Sequence, residues 1–302
     1  MISSTTNKQV KFVNALVKKA KTRREEDLFV AEGLRMCSEI PKDRIHTLYI
    51  SESFSKTKEC KTLREGVKHI ELVTDEVFKS LSDTQTPQGI LALVKQYHYT
   101  LDEVTGKTAK EKATASGQDA DGSVQNRKKQ ENRKKPALLM VLETIQDPGN
   151  LGTMLRTGEG AGISGVVMNH TTVDLFNPKT IRSTMGSIYR MPFFVTRDLA
   201  ETICELKNAG VKTYAAHLKG KMQYDEPDYT GATAFMIGNE GNGLSDEIAD
   251  LADTYIKIPM CGQVESLNAA ISASLLMYET NRQRRIRSMS QDRMSNIRKV
   301  EE

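Results

Sequence analysis

Three segments place carboxylate, guanidinium, amide and hydroxyl side chains just after apolar runs that read as strands. In the first, ETIQDPGNLGTMLRT at 143–157, Asp147-Pro148-Gly149 is a turn signal and Asn150 is placed to cap the helix that follows. A helix starting there puts Arg156 less than two turns along, so an amide and a guanidinium share one strand-end region. Alone, the segment reads equally as an ordinary strand–turn–helix with a capping asparagine. In the second, FMIGNEGNGLSDEI at 235–248, Gly238, Gly241 and Gly243 follow an apolar strand and Glu240 sits among them. Glycine lets backbone N–H groups come close to a ligand. No Walker lysine with a following Ser or Thr is present, which argues against a triphosphate cradle. In the third, IKIPMCGQVESLNAAISASLLMYE at 256–279, a strand ends at Pro259, a polar loop carries Ser266 and Asn268, and a helix of small and apolar residues follows. Ser266 and Asn268 serve equally well as caps of that helix.

The elements that must position these loops follow from the hydropathy period. Downstream of Pro136, ALLMVLE, GVVMNH, PFFVT, VKTYAAHL, TAFMIG and TYIKIP alternate with helical patterns near 151–160, 178–186 and 199–209, a short helix after Ser245, and a long helix over about 269–286. This is a doubly wound α/β pattern, in which ligands bind beyond the carboxyl ends of the strands. Upstream, LFVAE, HTLYI, HIELV and ILALV alternate with helical patterns at 33–40 and 75–82, which predicts a small α/β domain with a partly parallel sheet. Ahead of them Val10, Val13, Leu16 and Ala20 recur between lysines as one face of an amphipathic helix with a basic outer side. Residues 100–136 carry almost no apolar side chains and no period, and read as a flexible basic linker. Gly160-Ala-Gly162-Ile-Ser-Gly165 spells a dinucleotide fingerprint, but a helical pattern precedes it and a strand follows it. That is the reverse of the required context, so it reads as a helix end and turn.

Composition narrows the class. At 302 residues the chain has room for two domains, and with 38% apolar and 27% charged residues it is a water-soluble type. The longest clean apolar run is six residues, at 137–142, far from the ~18 of a membrane span. The N-terminal segment has scattered lysines and no apolar core before a cleavage site, so it does not read as a signal peptide and a cytoplasmic location is expected. Cys37, Cys60, Cys204 and Cys261 form no C-x-x-C, and neither a disulfide nor a metal site is assigned to them. The net charge of +4 is modest, yet it is clustered. Residues 8–24 hold seven Lys or Arg and no acid, 127–135 hold six against one Glu, and 281–302 hold seven against three acids. A single such run is often just a solvated face, whereas three together point toward a phosphate-backbone partner.

In this order and spacing the three segments resemble the motifs of the SpoU (TrmH-type) RNA 2′-O-ribose methyltransferases of the SPOUT superfamily. The first is similar to that family's motif 1, IGNEGNGL at 237–244 to motif 2, and IPM-x5-SLNAA at 258–270 to motif 3. NPKTIRSTMGSIYRMPF at 177–193 resembles the family's central segment, and NKQVKFVNALVKKAKTRREEDLFVAEG and SDTQTPQGILALV resemble its substrate-binding domain. The resemblance implies an α/β fold with a C-terminal trefoil-knotted methyltransferase domain at 137–286, preceded by a small ribosomal-protein-like RNA-binding domain at 1–99. The linker at 100–136 and a basic tail at 287–302 complete the division. It also implies S-adenosylmethionine as cofactor, held by Gly238, Asn239, Gly241, Ile258, Met260 and Leu267. Asn150, Arg156, Glu240, Ser266 and Asn268 would form the catalytic group, with no metal. Arg156 is usually cast as the group that deprotonates the 2′-hydroxyl. An ordinary guanidinium has a pKa above ~12, so either its pKa is greatly lowered in the site, or it stabilises the alkoxide while water takes the proton. Ribosomal RNA is the expected substrate, with transfer RNA, or a non-catalytic RNA-binding protein on the same fold, as alternatives. A homodimer through the C-terminal domain is expected from the resemblance. The apolar breadth of the helix from Ala269, which carries Ile271, Leu275, Leu276 and Tyr278, points the same way.

Overall fold

In a computed structural model of the chain, residues 1–106 and 136–301 are described, with the side chains described through Gln291. Two compact units emerge. One comprises Met1–His98, Ile145–Glu159 and Thr172–Met191; the other comprises Tyr99–Thr144, Gly160–Thr171 and Pro192–Glu302. The first unit is therefore not the continuous 1–99 expected from sequence, because the first chemistry-bearing segment from Ile145 onward clusters with it.

In that unit, β1 (Leu28–Glu32), β2 (Ile45–Ser51), β3 (Ile70–Val73) and β4 (Ile90–Lys95) form a sheet in the order β1-β4-β2-β3. β4 runs antiparallel to β1 and β2, while β2 and β3 are parallel, the mixed sheet expected. β1 and β4 are buried on both faces, which is why they read as unbroken apolar runs rather than alternating ones. The helix Lys8–Lys18, capped by the Asn7 side chain on Gln9 N–H, lays Val10, Val13 and Leu16 on the core with Leu28, Val30 and Leu93. Full burial of those three side chains contributes roughly 1.5–3 kcal/mol each. Ala20 belongs instead to a second short helix, Ala20–Glu26.

One of the seven basic residues in this N-terminal run has a structural task. Arg23 is 3% exposed; its guanidinium donates to the carbonyls of Leu16 (2.6 Å) and Val17 (3.0 Å) and pairs with Asp174 at 2.8 and 2.5 Å. Phe29 stacks on Phe176 beside it, at 5.0 Å between ring centroids. The helices Pro148–Ala161 and Pro178–Thr184 approach closely at Gly152, where a Cβ would lie 2.6 Å from the Thr180 carbonyl oxygen and 2.5 Å from Ser183 Cβ.

The second unit is built on a parallel sheet: β5 (Leu138–Leu142), β6 (Gly165–Asn169), β7 (Phe193–Thr196), β8 (Lys212–Ala216), β9 (Met222–Gln223), β10 (Thr233–Ile237) and β11 (Thr254–Lys257). Their order is β7-β6-β5-β10-β8-β11-β9. From β5 the chain winds outward through β6 and β7, then crosses to the other side, where β10 returns to pair with β5. The strand order changes direction between β5 and β10, and such a point opens a crevice at the carboxyl ends of the strands. β5 and β10 are buried throughout. The core joins Leu139, Val141, Ala234 and Met236 to Ile203 and Leu206 of the helix Leu199–Asn208.

Two expectations are corrected here. The linker does not begin at Thr100. A helix spans Leu101–Thr105, closed by a capping box between Thr100 and Glu103, and its Val104 is fully buried in the core of the second unit. The rest of the expected linker, 107–135, lies outside the described residues. The last helix does not stop near residue 286 but runs Ala269–Glu301, taking in most of the expected tail. The glycine fingerprint at 160–165 is a helix end and turn, with Gly162 at φ +75°.

Candidate functional site

Loops at the carboxyl ends of β8, β10 and β11 enclose a cleft of about 270 Å³ in the second unit. From β10 come Gly238, Asn239, Glu240 and Gly241; from β11 come Ile258, Met260, Ser266 and Leu267. All eight were expected from sequence as site residues, and they line one cavity although up to 29 positions separate them.

The β10 loop is a tight, self-bonded turn. Asn239 N–H donates to the Gly243 carbonyl at 3.0 Å, and Gly243 N–H returns a bond to the Asn239 carbonyl at 2.9 Å. A Cβ on Gly238 would sit 2.0–2.2 Å from the backbone of Gly243 and Leu244, so no other residue fits without opening the turn. The Asn239 side chain organises the loop. Its Oδ1 accepts from Gly241 N–H (2.9 Å) and Asn242 N–H (3.1 Å), and its Nδ2 donates to the Thr144 carbonyl at 3.0 Å. Glu240 is carried at the exposed tip of this turn.

Two anchors beneath the loop escaped the sequence reading. Glu143, just past β5, accepts from Ser245 N–H (2.8 Å) and Ser245 Oγ (2.7 Å), fixing the loop's far end where Ser245 also caps the helix Asp246–Ala249. Thr144 holds a left-handed φ of +56°, a strained conformation for a β-branched residue. Asn169 from the end of β6 secures it, accepting from Thr144 N–H at 2.8 Å and donating to Thr144 Oγ1 at 2.9 Å. Position was the signal for Glu143, which immediately follows the apolar run of β5, whereas Thr144 and Asn169 carry none.

On the third side, Asn268 is the cap of the last helix. Its Oδ1 accepts from Ala270 N–H (2.8 Å) and Ile271 N–H (3.3 Å), and it is not among the residues lining the cleft. Leu267 is half-buried and Ser266 exposed, both turned to the cavity. The cleft also takes in Ala216 at the end of β8 and His217 and Leu218 beyond it, together with Glu265 and Ser272. His217 was missed because a lone histidine after a strand carries no motif. Its Nδ1 accepts from Lys219 N–H at 3.1 Å and its ring meets Tyr255 edge-on at 5.4 Å.

Asn150 and Arg156 belong to the helix Pro148–Ala161, in the part that clusters with the first unit. Here the structure corrects the cap. Asp147 is the capping residue, its Oδ1 accepting from Asn150 N–H at 2.8 Å, with Pro148 opening the helix and Asn150 two positions inside it. That bond to Asn150 N–H is the main reason the Asp147 carboxyl is held below its ordinary pKa. Arg156 is exposed and, among the described residues, has no hydrogen-bond or ion-pair partner. Among the described residues there is also no group of three or more His, Cys, Asp or Glu side chains able to hold a metal ion, and no helix long and apolar enough to cross a membrane.

Comparison with known proteins bears on the whole chain. Residues 137–278 match the model of the SpoU rRNA methylase family, and residues 7–92 match that of the MRM3-like substrate-binding domain. The 23S rRNA (guanosine(2553)-2′-O)-methyltransferase RlmP of Bacillus subtilis is 31% identical over 279 residues, which is 92% of this chain and 97% of that protein. The crystal structure of an AdoMet-bound rRNA methyltransferase from Sinorhizobium meliloti is similar at a TM-score of 0.74 and 27% identity, over 93% of this chain and 97% of that one. The SpoU methyltransferase AviRb of Streptomyces viridochromogenes shares the fold at a TM-score of 0.76 and 23% identity, over 92% and 98% of the two chains.

Proposed function

The chain belongs to the SpoU rRNA methylase family, and from that premise we propose that it transfers the methyl group of S-adenosylmethionine to a ribose 2′-hydroxyl of ribosomal RNA. The observation that carries this reading is the single cleft lined by both the β10 and the β11 loops. The relatives support the substrate and the cofactor: RlmP is named for 2′-O methylation of 23S rRNA, and the Sinorhizobium enzyme was crystallised with AdoMet. A ribose 2′-hydroxyl further requires RNA rather than DNA.

The lining suits such a cofactor. Ile258, Met260 and Leu267 offer apolar surface to an adenine, while Glu240, Ser266 and the backbone of the β10 turn offer polar groups. When bound, S-adenosylmethionine supplies a sulfonium methyl that needs no further activation. The protein's task is then to seat the ribose in line and to handle the hydroxyl proton, and positioning supplies much of the rate. Guanidinium groups keep their proton in water, so we assign Arg156 to the developing alkoxide and the adjacent phosphate, with solvent taking the proton. Asn150, Glu240, Ser266 and Asn268 are assigned to orienting the ribose in this reading, and Asn239 acts indirectly by holding the β10 turn. Calorimetric titration with S-adenosylmethionine tests the proposal. Saturable binding is expected, whereas RNA binding with no cofactor binding would favour a non-catalytic protein on the same fold.

We also read the chain as a homodimer through its C-terminal domain. Ala270, Ala273, Leu276 and Met277 of the last helix are buried in their own unit, while Ile271 (50% exposed) and Tyr278 (51%) lie outward with half-buried Leu275 between them. Residues 271, 275 and 278 share one helical face, an apolar stripe suited to a second copy. The trefoil knot of the family, the substrate-binding role of the N-terminal domain and a cytoplasmic setting belong to the same reading. Its division is a substrate-binding domain at 1–99 and a methyltransferase domain at 137–286, joined by 100–136 and followed by 287–302, with the helix Leu101–Thr105 packed on the second unit.

A further inference from the structure

The cofactor cleft lies at the carboxyl ends of the strands. A larger groove, of about 960 Å³, lies in the same unit at their amino ends, beside Pro136 and Leu138 before and within β5, Gly162 before β6, and Gly231 before β10. Its wall is the last helix, which contributes Arg284, Arg285 and Arg287, and no carboxylate lines it among the described residues. These arginines lie beyond residue 278, where the family match ends, so the family's motifs do not account for them.

The three arginines differ in role. Arg284 is a staple: it donates to the carbonyls of Pro136 (2.7 Å), Ala137 (3.0 Å), Tyr229 (3.1 Å) and Gly231 (2.6 Å), placing a fixed positive charge in the groove with no carboxylate partner. Arg287 bonds to Thr230 Oγ1, and Arg285 is exposed and, among the described residues, unpaired. Arg282, by contrast, is spent on Glu279 at 2.8 Å and does not line the groove. Asp228, a carboxylate near Arg287, is occupied by Thr230 N–H at 2.8 Å.

We propose that this groove binds the phosphate backbone of RNA, giving the substrate a second contact at the end of the sheet opposite the cofactor cleft. The inference rests on RNA being the substrate. The neighbouring chain at 127–135 is itself strongly basic, so like-charge repulsion disfavours it as the occupant. Three guanidinium groups in a groove that no carboxylate lines among the described residues match an anionic polymer, with Asp228 near Arg287 offsetting part of one charge, and arginine's planar fork suits phosphate oxygens.

The test is the salt dependence of binding to an unmodified 23S rRNA transcript, comparing wild type with the double variant Arg285→Gln/Arg287→Gln. Arg284 is left intact because it holds backbone carbonyls. Each lost phosphate contact flattens the plot of log affinity against log salt by ~0.7–0.9, so the double variant should lose about 1.4–1.8 of slope. At 0.1 M salt that corresponds to roughly 25- to 60-fold weaker binding. Arg285→Lys/Arg287→Lys should retain the slope, and S-adenosylmethionine binding should be unchanged in all three proteins. An unchanged slope in the glutamine variant overturns the proposal. So does a changed oligomeric state by light scattering with the slope intact, which would make the groove a protein interface. A wild type with no salt-dependent RNA affinity would overturn the RNA reading itself and this inference with it.

Discussion

Replacing Gly238 by alanine should disable cofactor binding through the backbone alone. The added Cβ would lie 2.0 Å from the Gly243 carbonyl carbon, and ordinary contact begins at 3.4 Å, so the two arms of the turn must part by about 1.4 Å. The partners here are backbone atoms and cannot swing aside as a flexible side chain would. Parting the arms breaks the reciprocal bonds between Asn239 and Gly243, at 3.0 and 2.9 Å. Each is worth about 0.5–1.5 kcal/mol net, and the overpacking adds roughly 1–3 kcal/mol. If the cofactor needs the closed turn, at least ~2 kcal/mol is taken from its binding, or about 30-fold in Kd. Isothermal titration with S-adenosylmethionine reads this directly. Gly262→Ala is the control, since its Cβ meets nothing within 4 Å and it does not line the cleft. Affinity within threefold of wild type for Gly238→Ala would refute the idea that this turn shapes the site.

Three further outcomes follow from the same geometry. Arg156→Ala should lower methyl transfer about 10²- to 10³-fold while leaving S-adenosylmethionine affinity within twofold; unchanged turnover would remove the role assigned to the guanidinium. Asp174→Ala should cost roughly 3–5 kcal/mol in denaturant unfolding, because it strands a guanidinium that is 3% exposed; a loss under 1 kcal/mol would show that the pair is not needed. Asp147 is held below its ordinary pKa, so its contribution to stability is present above about pH 4 and is lost as the pH falls through the folded value. Asp147→Ala should therefore cost ~1 kcal/mol at pH 7 and progressively less in acid, a difference visible in unfolding curves at pH 7 and pH 3.

Much of the fold was legible because the central strands are buried on both faces and read as plain apolar runs, as in LLMVL of β5 and TAFMI of β10. Only β9, the two-residue edge strand Met222–Gln223, left no such trace, since both of its side chains are exposed. The short helices Glu52–Ser55 and Lys58–Arg64 were also missed, being too short to show a period. Helix ends were harder. Beyond residue 286 the sequence is mostly charged and polar, with Met289, Met294, Ile297 and Val300 too sparse to show a clear period, so periodicity could not follow the helix to Glu301. In the site, the glycines and polar residues of the β10 and β11 loops stood out by type. Thr144 and Asn169 did not, because their importance lies in a left-handed φ and in two bonds across strand ends, neither of which has a sequence signature. The Asp147 cap was displaced by three residues for a related reason: a proline is tolerated in the first helical turn, so the turn signal Asp-Pro-Gly was also the helix start.

The most direct test of the proposed activity is isotopic. Unmodified 23S rRNA transcript is incubated with the protein and S-adenosylmethionine carrying a CD3 group, digested to nucleosides and analysed by mass spectrometry. The expected result is one labelled nucleoside whose mass gain lies on the ribose, absent with Arg156→Ala. Label on a base, or no label on RNA from a protein that binds both cofactor and transcript, would contradict 2′-O-ribose methyl transfer.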